Sequence, residues 1–244
     1  MWGWRIPFLS GIFLAVVGFY LRKNIPETQM FEKLKQEKLV EANPFKALFV
    51  QHWRKVLLGF GFIAGTAALV GMNFMYLSAF LVTFVGLPLK RSLMLNTFIS
   101  VVLAIFIPIM GHLSDRIGRK YVMIWGFISL AIITVPFYHL IRYGHPIILL
   151  FTLFFFGLFS SCILGVSGVV LAELYPTSVR YSGFSISYNI GFSVFSGLVP
   201  FIALFLIHLT GKIYTPGWFI IACLILSLLC VLKLKEMANS SLPQ

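Results

Sequence analysis

The chain is poor in charge, and it is poorest in negative charge. Of its 244 residues only 7 are Asp or Glu, and charged residues make up 11% of the total, where a soluble domain has about 25%. This deficit argues against an ordinary soluble domain. The formal net charge of +12 does not indicate a nucleic-acid partner, because the basic residues lie between long apolar runs, as the positive-inside rule predicts for membrane proteins.

The apolar runs also lack the alternation that a membrane β-barrel requires. Barrel strands alternate polar and apolar residues over about ten positions. These runs instead stay apolar for roughly 20 residues, the length of a helix that crosses a bilayer. Only helices and closed barrels satisfy their backbone hydrogen bonds inside lipid. The sequence therefore predicts an all-α fold, a polytopic membrane bundle of about seven transmembrane helices.

Cysteine is scarce as well. Cys162, Cys223 and Cys230 lie inside apolar runs, and their spacing matches neither a metal site nor a disulfide framework. We expect them to be free thiols that pack as small apolar residues, with no metal and no cofactor. No pairing of a nucleophile with a base is evident, so we predict no catalytic residues and no enzyme activity.

Seven segments are long and apolar enough to cross a bilayer. The second of them is unusually long and rich in glycine, so it could tilt, bend or extend past the hydrocarbon. The segments lie near 5–22, 56–85, 91–111, 121–142, 146–171, 183–208 and 216–233. We accordingly divide the chain into a first helix, a connector, a six-helix bundle and a tail, at 1–22, 23–55, 56–235 and 236–244.

Lys and Arg are distributed unevenly between the two sides of the predicted membrane. Eight of them lie between Arg22 and Lys55, and the other connectors on that side hold six more, against five on the opposite side. Cytoplasmic connectors carry the excess of Lys and Arg. The counts therefore predict an N-terminus outside the cell and a C-terminus inside it.

The connector contains a helix signal. Asn43 followed by Pro44 is typical of an N-cap and a first helical residue, and aromatic residues then recur at helical spacing up to Trp53. A short helix in the membrane interface would place these aromatic rings among the headgroups and nearby cations beside anionic lipid. The alternative interpretation is a solvated linker.

Three stretches of the sequence carry a recognisable motif. Residues 111–120 read GHLSDRIGRK, and residues 173–197 read ELYPTSVRYSGFSISYNIGFSVFSG. The first segment opens with GWRIPFLSG and closes with LRKNIPET. In order and spacing these stretches resemble the signatures of the major facilitator superfamily, and in particular its metabolite–proton symporter branch, which is related to the sugar porters and includes citrate and proline/betaine carriers.

The resemblance covers the whole chain but only about the last 55% of a family member. It implies spans six to twelve, so that the N-terminal half of the carrier is absent and could be supplied as a separate chain. It also implies a multi-pass protein of the bacterial cytoplasmic membrane. Its expected activity is proton-coupled transport of an organic acid or a betaine/proline-like solute by alternating access. A truncated, non-transporting remnant and a seven-helix scaffold or receptor remain alternatives.

The resemblance also predicts a charged cytoplasmic gate. Gly111 and Gly118 are expected to allow tight backbone turns where two helices meet. Asp115 can accept from Arg119 or from amides at the start of the ninth span. We further predict that Glu173 pairs with Arg180 across its loop. The alternative is a topology anchor made of solvated charges. The predicted gate comprises Gly111, Asp115, Arg116, Gly118, Arg119, Lys120, Glu173 and Arg180.

Substrate contacts are predicted from polar residues inside the spans that line the cavity in this family. Polar groups at mid-depth are costly in lipid and tend to face a bundle interior or a wet path, although packing between helices is a competing explanation. The candidates are Asn73, Tyr76, Asn96, Tyr188 and Asn189. None of the seven acidic residues lies in the middle of a span. We therefore expect the main proton site of a coupled carrier to lie in the absent half.

Overall fold

The computed structural model describes residues 6–24, 32, 43–234 and 236, and in this part of the chain it contains helices and no strand. The chain divides into two compact units, Met1–Val40 and Glu41–Gln244. The all-α class predicted from the continuous apolar runs is confirmed.

The first unit contains helix α1, Ile6–Asn24. It coincides with the first predicted span, 5–22. Arg22 and Lys23 lie in its last turn, where positive side chains interact favourably with the negative end of the helix dipole. The residues of α1 whose side chains are described are exposed.

The second unit begins with the short helix α2, Pro44–Gln51. The side chain of Asn43 accepts a hydrogen bond from the backbone N–H of Lys46 at 3.2 Å, and Pro44 occupies the first turn. The helix start predicted from the sequence is therefore confirmed. Ala47 and Leu48 are buried, whereas the opposite face of α2 is exposed.

Six helices of the described residues are long and apolar enough to cross a membrane. They coincide with the last six predicted segments, while α1 is not one of the six. In chain order they are α3, Trp53–Thr83; α4, Leu89–Ile117; α5, Arg119–Ile141; α6, Pro146–Glu173; α7, Arg180–Thr210; and α8, Pro216–Lys233.

Helix α3 forms the centre of the bundle. It packs against α7 on one side and α8 on another, and α8 also packs against α5. Helix α6 closes the arrangement by packing along both α4 and α5. Of its most apolar stretch, α3 buries 72% of the residues, against 17% for α4. The apolar side chains on α4 therefore face outward, where a bilayer would solvate them.

Two of these helices contain a π-helical segment. In α3 it spans Gly71–Tyr76, and in α7 it spans Phe192–Ser196. The two segments pack against each other, and a Cβ added at Gly71 would come within 2.6 Å of the carbonyl oxygen of Ser196. Only glycine permits so close an approach of the two backbones. The long, glycine-rich segment predicted from the sequence therefore contains a π-helical turn at Gly71–Tyr76.

The two glycines of GHLSDRIGRK have different roles. Gly118 has φ +116° and is the one residue between α4 and α5, so it makes the turn predicted for it. Gly111 lies inside α4, and the turn predicted there is wrong. An added Cβ would meet the carbonyl oxygen of Gly165 at 3.5 Å, and one at Gly165 would meet that of Ile107 at 2.7 Å. Gly111 therefore belongs to a close crossing of α4 and α6.

The three cysteines are free thiols within the spans. Cys162 and Cys223 are buried, and Cys230 is half-buried. In the described ranges no group of three or more His, Cys, Asp or Glu side chains is arranged to hold a metal ion.

Candidate functional site

Arg119 is the centre of a charge cluster at one end of the bundle. Its Nη2 and Nε donate to Oδ1 of Asp115 at 2.9 and 3.2 Å. Its Nη1 donates to Oε1 of Glu173. Because Arg119 begins α5, Asp115 lies in the last turn of α4 and Glu173 ends α6, one guanidinium group joins the ends of three spans.

The two ion pairs of Arg119 differ in their exposure to solvent. The side chain of Glu173 is 10% exposed and that of Arg119 is 21% exposed, whereas the side chain of Asp115 is 60% exposed. An exposed pair contributes about 0–1 kcal/mol to stability, while loss of one partner of a shielded pair leaves an uncompensated charge. The contact with Glu173 is therefore the stronger constraint on the bundle.

The end of α8 is joined to the same cluster by two reciprocal caps. The carboxylate of Glu236 accepts from the backbone N–H groups of Arg119 and Lys120 at 3.2 and 3.0 Å. Nζ of Lys120 donates to the carbonyl oxygens of Leu232 and Leu234 at 2.9 and 2.7 Å. An anion thus lies at the start of α5 and a cation at the end of α8, which satisfies backbone groups that a helix end leaves free.

The partners within the predicted gate differ in part from the expectation. Glu173 was expected to pair with Arg180, but its partner is Arg119, while Nε of Arg180 donates to the carbonyl oxygen of Tyr175 at 3.2 Å. Asp115 binds Arg119, one of the two alternatives drawn from the sequence. Arg116 is exposed and has no ion pair among the described residues.

Tyr175 fixes the loop between α6 and α7 against α3. Its side chain is fully buried, and its hydroxyl donates to the carbonyl oxygen of Lys55 at 3.2 Å and shares a hydrogen bond with Ser187 at 2.5 Å. A Cβ added at Gly183 would clash with its ring, and one added at Gly59 would come within 2.7 Å of its hydroxyl. Burial raises the pKa of the Tyr175 hydroxyl to about 12, and the Ser187 hydrogen bond partly opposes this shift.

Glu236 and Tyr175 are the two members of this site that the sequence did not predict. Glu236 is one of only seven acidic residues and directly follows the last span, which was a usable signal. Tyr175 lies inside the quoted motif, between Glu173 and Pro176, but nothing local in the sequence indicates that its hydroxyl reaches Lys55, 120 positions away.

Two of the five predicted substrate residues lie in the π-helical segment of α3. Asn73 and Tyr76 are 1% and 2% exposed. Both polar atoms of the Asn73 side chain and the hydroxyl of Tyr76 have no hydrogen-bond partner among the residues that the structure describes. Most buried polar groups are paired, so an unpaired one calls for an explanation.

The other three candidates lie elsewhere in the bundle. Nδ2 of Asn96 donates to Oγ of Ser78 at 2.8 Å and so joins α4 to α3. The ring of Tyr188 is stacked between Phe184 and Phe192, at centroid distances of 5.4 and 4.2 Å. Asn189 is exposed, and its amide donates to the carbonyl of Ser185 on its own helix at 2.8 Å.

Comparison with known proteins assigns the chain to a family. The family model described as "Sugar (and other) transporter" matches residues 28–244. The chain belongs to this transporter family, within the major facilitator superfamily. The resemblance drawn from GHLSDRIGRK and ELYPTSVRYSG is thereby confirmed.

Individual members of the family are similar to the chain over most of its length. It is 29% identical, over 99% of its residues, to the glycine betaine/proline/ectoine/pipecolic acid transporter of Dickeya dadantii. It is 32% identical, over 90% of its residues, to the citrate-proton symporter of Salmonella typhi. It is 32% identical, over 99%, to an inner membrane metabolite transport protein of Escherichia coli K12.

The aligned region covers 50%, 50% and 56% of these three relatives. The chain thus spans about half the length of the curated relatives it matches. These relatives and the matching family are transporters and not enzymes, in agreement with the prediction drawn from the sequence. Together with the six apolar helices, they establish a multi-pass membrane protein of the transporter class.

Proposed function

We propose that this chain forms the C-terminal half of a carrier that moves a small metabolite across the bacterial cytoplasmic membrane, with protons, by alternating access. The substrate class is an organic acid or a betaine/proline-like solute. Relatives named for betaine, proline and citrate support this class. The remaining helices of the pathway would come from an N-terminal half on another chain or a longer one.

The charge cluster around Arg119 is the observation that carries this proposal. It joins the ends of α4, α5, α6 and α8 through side chains that lie at helix termini. A carrier needs such contacts at one face, because that face must close in one state and open in another. Asp115 of the cluster and its sequence neighbour Arg116 are exposed, so both are available to a neighbouring bundle.

The proposed orientation places this cluster at the cytoplasmic face. It follows from the excess of Lys and Arg on the same side as GHLSDRIGRK. The N-terminus would then lie outside the cell and the C-terminus inside it.

Asn73 and Tyr76 are the substrate contacts that we favour among the five candidates. Both belong to the π-helical segment of α3, and such segments occur frequently at functional sites. Their unpaired polar atoms would gain partners when a polar solute or water enters the bundle. Asn96, Tyr188 and Asn189 are proposed with less direct support, because their side chains already have the contacts described above.

Uptake measurements test the proposal. In proteoliposomes the chain alone is expected to give no saturable uptake of labelled proline, glycine betaine or citrate. Co-reconstitution with the N-terminal half of one of the named relatives should restore uptake of at least one solute when a proton gradient is imposed. Saturable uptake by the chain alone would contradict the half-carrier proposal.

An Asp115→Asn variant of the reconstituted carrier tests the gate. We expect turnover to fall about tenfold while the KM for the solute stays the same, because the change removes a contact of one state and no contact with substrate. Lys90→Gln, an exposed change away from the cluster, is the matched control. Unchanged turnover in Asp115→Asn would reduce the cluster to a topology anchor.

A further inference from the structure

A cavity of about 440 Å³ lies beside the charge cluster, between α3, α5, α6 and α8. Its volume is within the range of about 300–1,000 Å³ that is usual for small-molecule sites. Aliphatic side chains from all four helices form its walls, among them Leu58, Met123 and Val231. Charged side chains form the rest of its lining.

The charges that line this cavity do not balance. Four of them are positive and two are negative. Arg119 and Glu173 pair with each other, Lys120 donates to carbonyl oxygens, and Glu236 accepts from backbone amides. The two remaining charged groups of the lining are ammonium groups, which these contacts do not involve.

The two ammonium groups belong to Lys55, in the first turn of α3, and Lys233, in the last turn of α8. Among the described residues neither is paired with a carboxylate, since the two ion pairs of that part of the chain both belong to Arg119. Lys55 is half-buried. A partly desolvated ammonium without a counter-ion is unfavourable, so Lys55 favours an anion in the cavity. The ammonium group of Lys233 is exposed and adds a second positive charge to the lining.

We propose that this cavity is a binding site for a phosphate ester, which Lys55 and Lys233 hold between the ends of α3 and α8. The inference deepens the proposed function, because it relies on the orientation that places this end of the bundle at the cytoplasmic leaflet. A phosphate diester of an anionic phospholipid and a soluble phosphate monoester share this chemistry. The aliphatic walls favour the phospholipid, since they can accommodate its glycerol and the start of an acyl chain.

General properties of membrane proteins support the assignment to phosphate. Basic pockets between spans on the cytoplasmic side bind lipid headgroups, and lysine is an effective point-charge partner for phosphate. A ligand that joins Lys55 to Lys233 would also add a contact between α3 and α8, both of which line the cavity. Binding would therefore stabilise the bundle in the state with the cluster closed.

Thermal unfolding of the purified full chain in a neutral detergent, followed by tryptophan fluorescence, tests the proposal. Phosphatidylglycerol is titrated in parallel with zwitterionic phosphatidylcholine and with sn-glycerol 3-phosphate. We expect phosphatidylglycerol to raise the unfolding midpoint with a saturable concentration dependence, and phosphatidylcholine to leave it unchanged. Similar effects of phosphatidylglycerol and glycerol 3-phosphate would support the site with a soluble ester as its ligand.

The double variant Lys55→Gln/Lys233→Gln identifies the binding groups. Its apparent Kd for phosphatidylglycerol should be about 30-fold weaker, which is about 2 kcal/mol at about 1.4 kcal/mol per tenfold change. The control Lys46→Gln/Lys90→Gln removes the same charge outside the cavity and should stay within about threefold of the parent chain. Lys55→Arg/Lys233→Arg keeps the charge and should keep most of the affinity, even if the glutamine variant fails to fold.

Two results would overturn the proposal. One is the absence of binding by both phosphate esters to the parent chain. The other is an equal loss of affinity in the cavity variant and its control, which would show diffuse attraction to a basic surface. Neither measurement requires transport, so failure of this site is distinguishable from failure of the proposed carrier function.

Discussion

The charged end of the bundle and the middle of α3 satisfy their polar groups in opposite ways. At the end, Arg119, Glu173 and Glu236 each have a partner, and the backbone groups of two helix termini are capped. In the middle, Asn73 and Tyr76 are almost fully buried, and within the described part of the chain their side-chain polar atoms are unpaired.

This difference concerns how far each region satisfies its polar groups in this state. A paired charge cluster resists rearrangement, whereas buried unpaired polar atoms are costly until a partner arrives. The middle of α3 also has the π-helical segment and the close contact between Gly71 and Ser196. We infer that the charged end stabilises this conformation and that the middle of α3 rearranges more readily.

The largest expected effect is at the charged end. Arg119→Met should lower the free energy of unfolding by about 3 kcal/mol, because it leaves the shielded carboxylate of Glu173 without a counter-charge. Adding Glu173→Gln should recover most of that loss. Arg116→Met, an exposed change in the same motif, should stay within about 0.5 kcal/mol. Denaturant unfolding in detergent measures the stability of all three variants. Equal losses in Arg116→Met and Arg119→Met would contradict the prediction.

A smaller effect is expected from Gly71→Ala in the middle of the bundle. The added methyl group would meet the carbonyl oxygen of Ser196 at 2.6 Å, and overpacking of this kind costs about 1–3 kcal/mol. Gly168→Ala is the matched control, because nothing lies within 4 Å of a Cβ there. The control should be neutral or stabilising, since alanine favours a helix by about 1 kcal/mol over glycine. Thermal unfolding of both variants checks the prediction, which a neutral Gly71→Ala would refute.

Tyr175→Phe should cost about 1–2 kcal/mol, because it removes the hydroxyl shared by Lys55 and Ser187. Burial raises the pKa of this hydroxyl to about 12 from an ordinary value of 10.0. Its contribution is therefore complete below pH 10 and is lost as the pH rises towards 12. The stability difference from Tyr175→Phe should shrink over that window. Tyr181→Phe, at an 85% exposed position, should show no effect at any pH.

The smallest effect is expected from Asn73→Leu. Because the amide has no partner among the described residues, an apolar side chain of similar size should change the unfolding free energy by less than about 1 kcal/mol. Solute uptake by the reconstituted carrier should nevertheless be lost. A destabilisation of about 2 kcal/mol or more would show that Asn73 is already paired, and the contrast between the two regions would then fail.

The sequence predicted the features that depend on local pattern. Apolar runs located the six spans to within a few residues, as in 216–233 for α8, and Asn43 with Pro44 located the start of α2. Hydropathy and capping act over a few neighbouring residues, so one chain is sufficient to detect them.

The partners of the charges were not predictable in the same way. Glu173 lies closer in sequence to Arg180 than to Arg119, yet it binds Arg119, 54 positions away. Glu236 lies 117 positions from Arg119. Such contacts depend on how the spans pack, and no short-range pattern encodes that packing. The interpretation of Gly111 as a turn was wrong for the same reason, since its neighbour Gly165 lies on α6.

Gly118 is a pivot at which a small rotation would be amplified along the length of α5. It is the single residue between two helices of 29 and 23 residues, and the shorter of these is about 34 Å long at about 1.5 Å per residue. A rotation of about 10° at this pivot would move the far end of that helix by about 6 Å over such a length. Glu236 binds the two amides next to the pivot, where the same rotation displaces atoms least. A small rotation at the charged end would therefore become a displacement of several ångströms at the opposite end of α5.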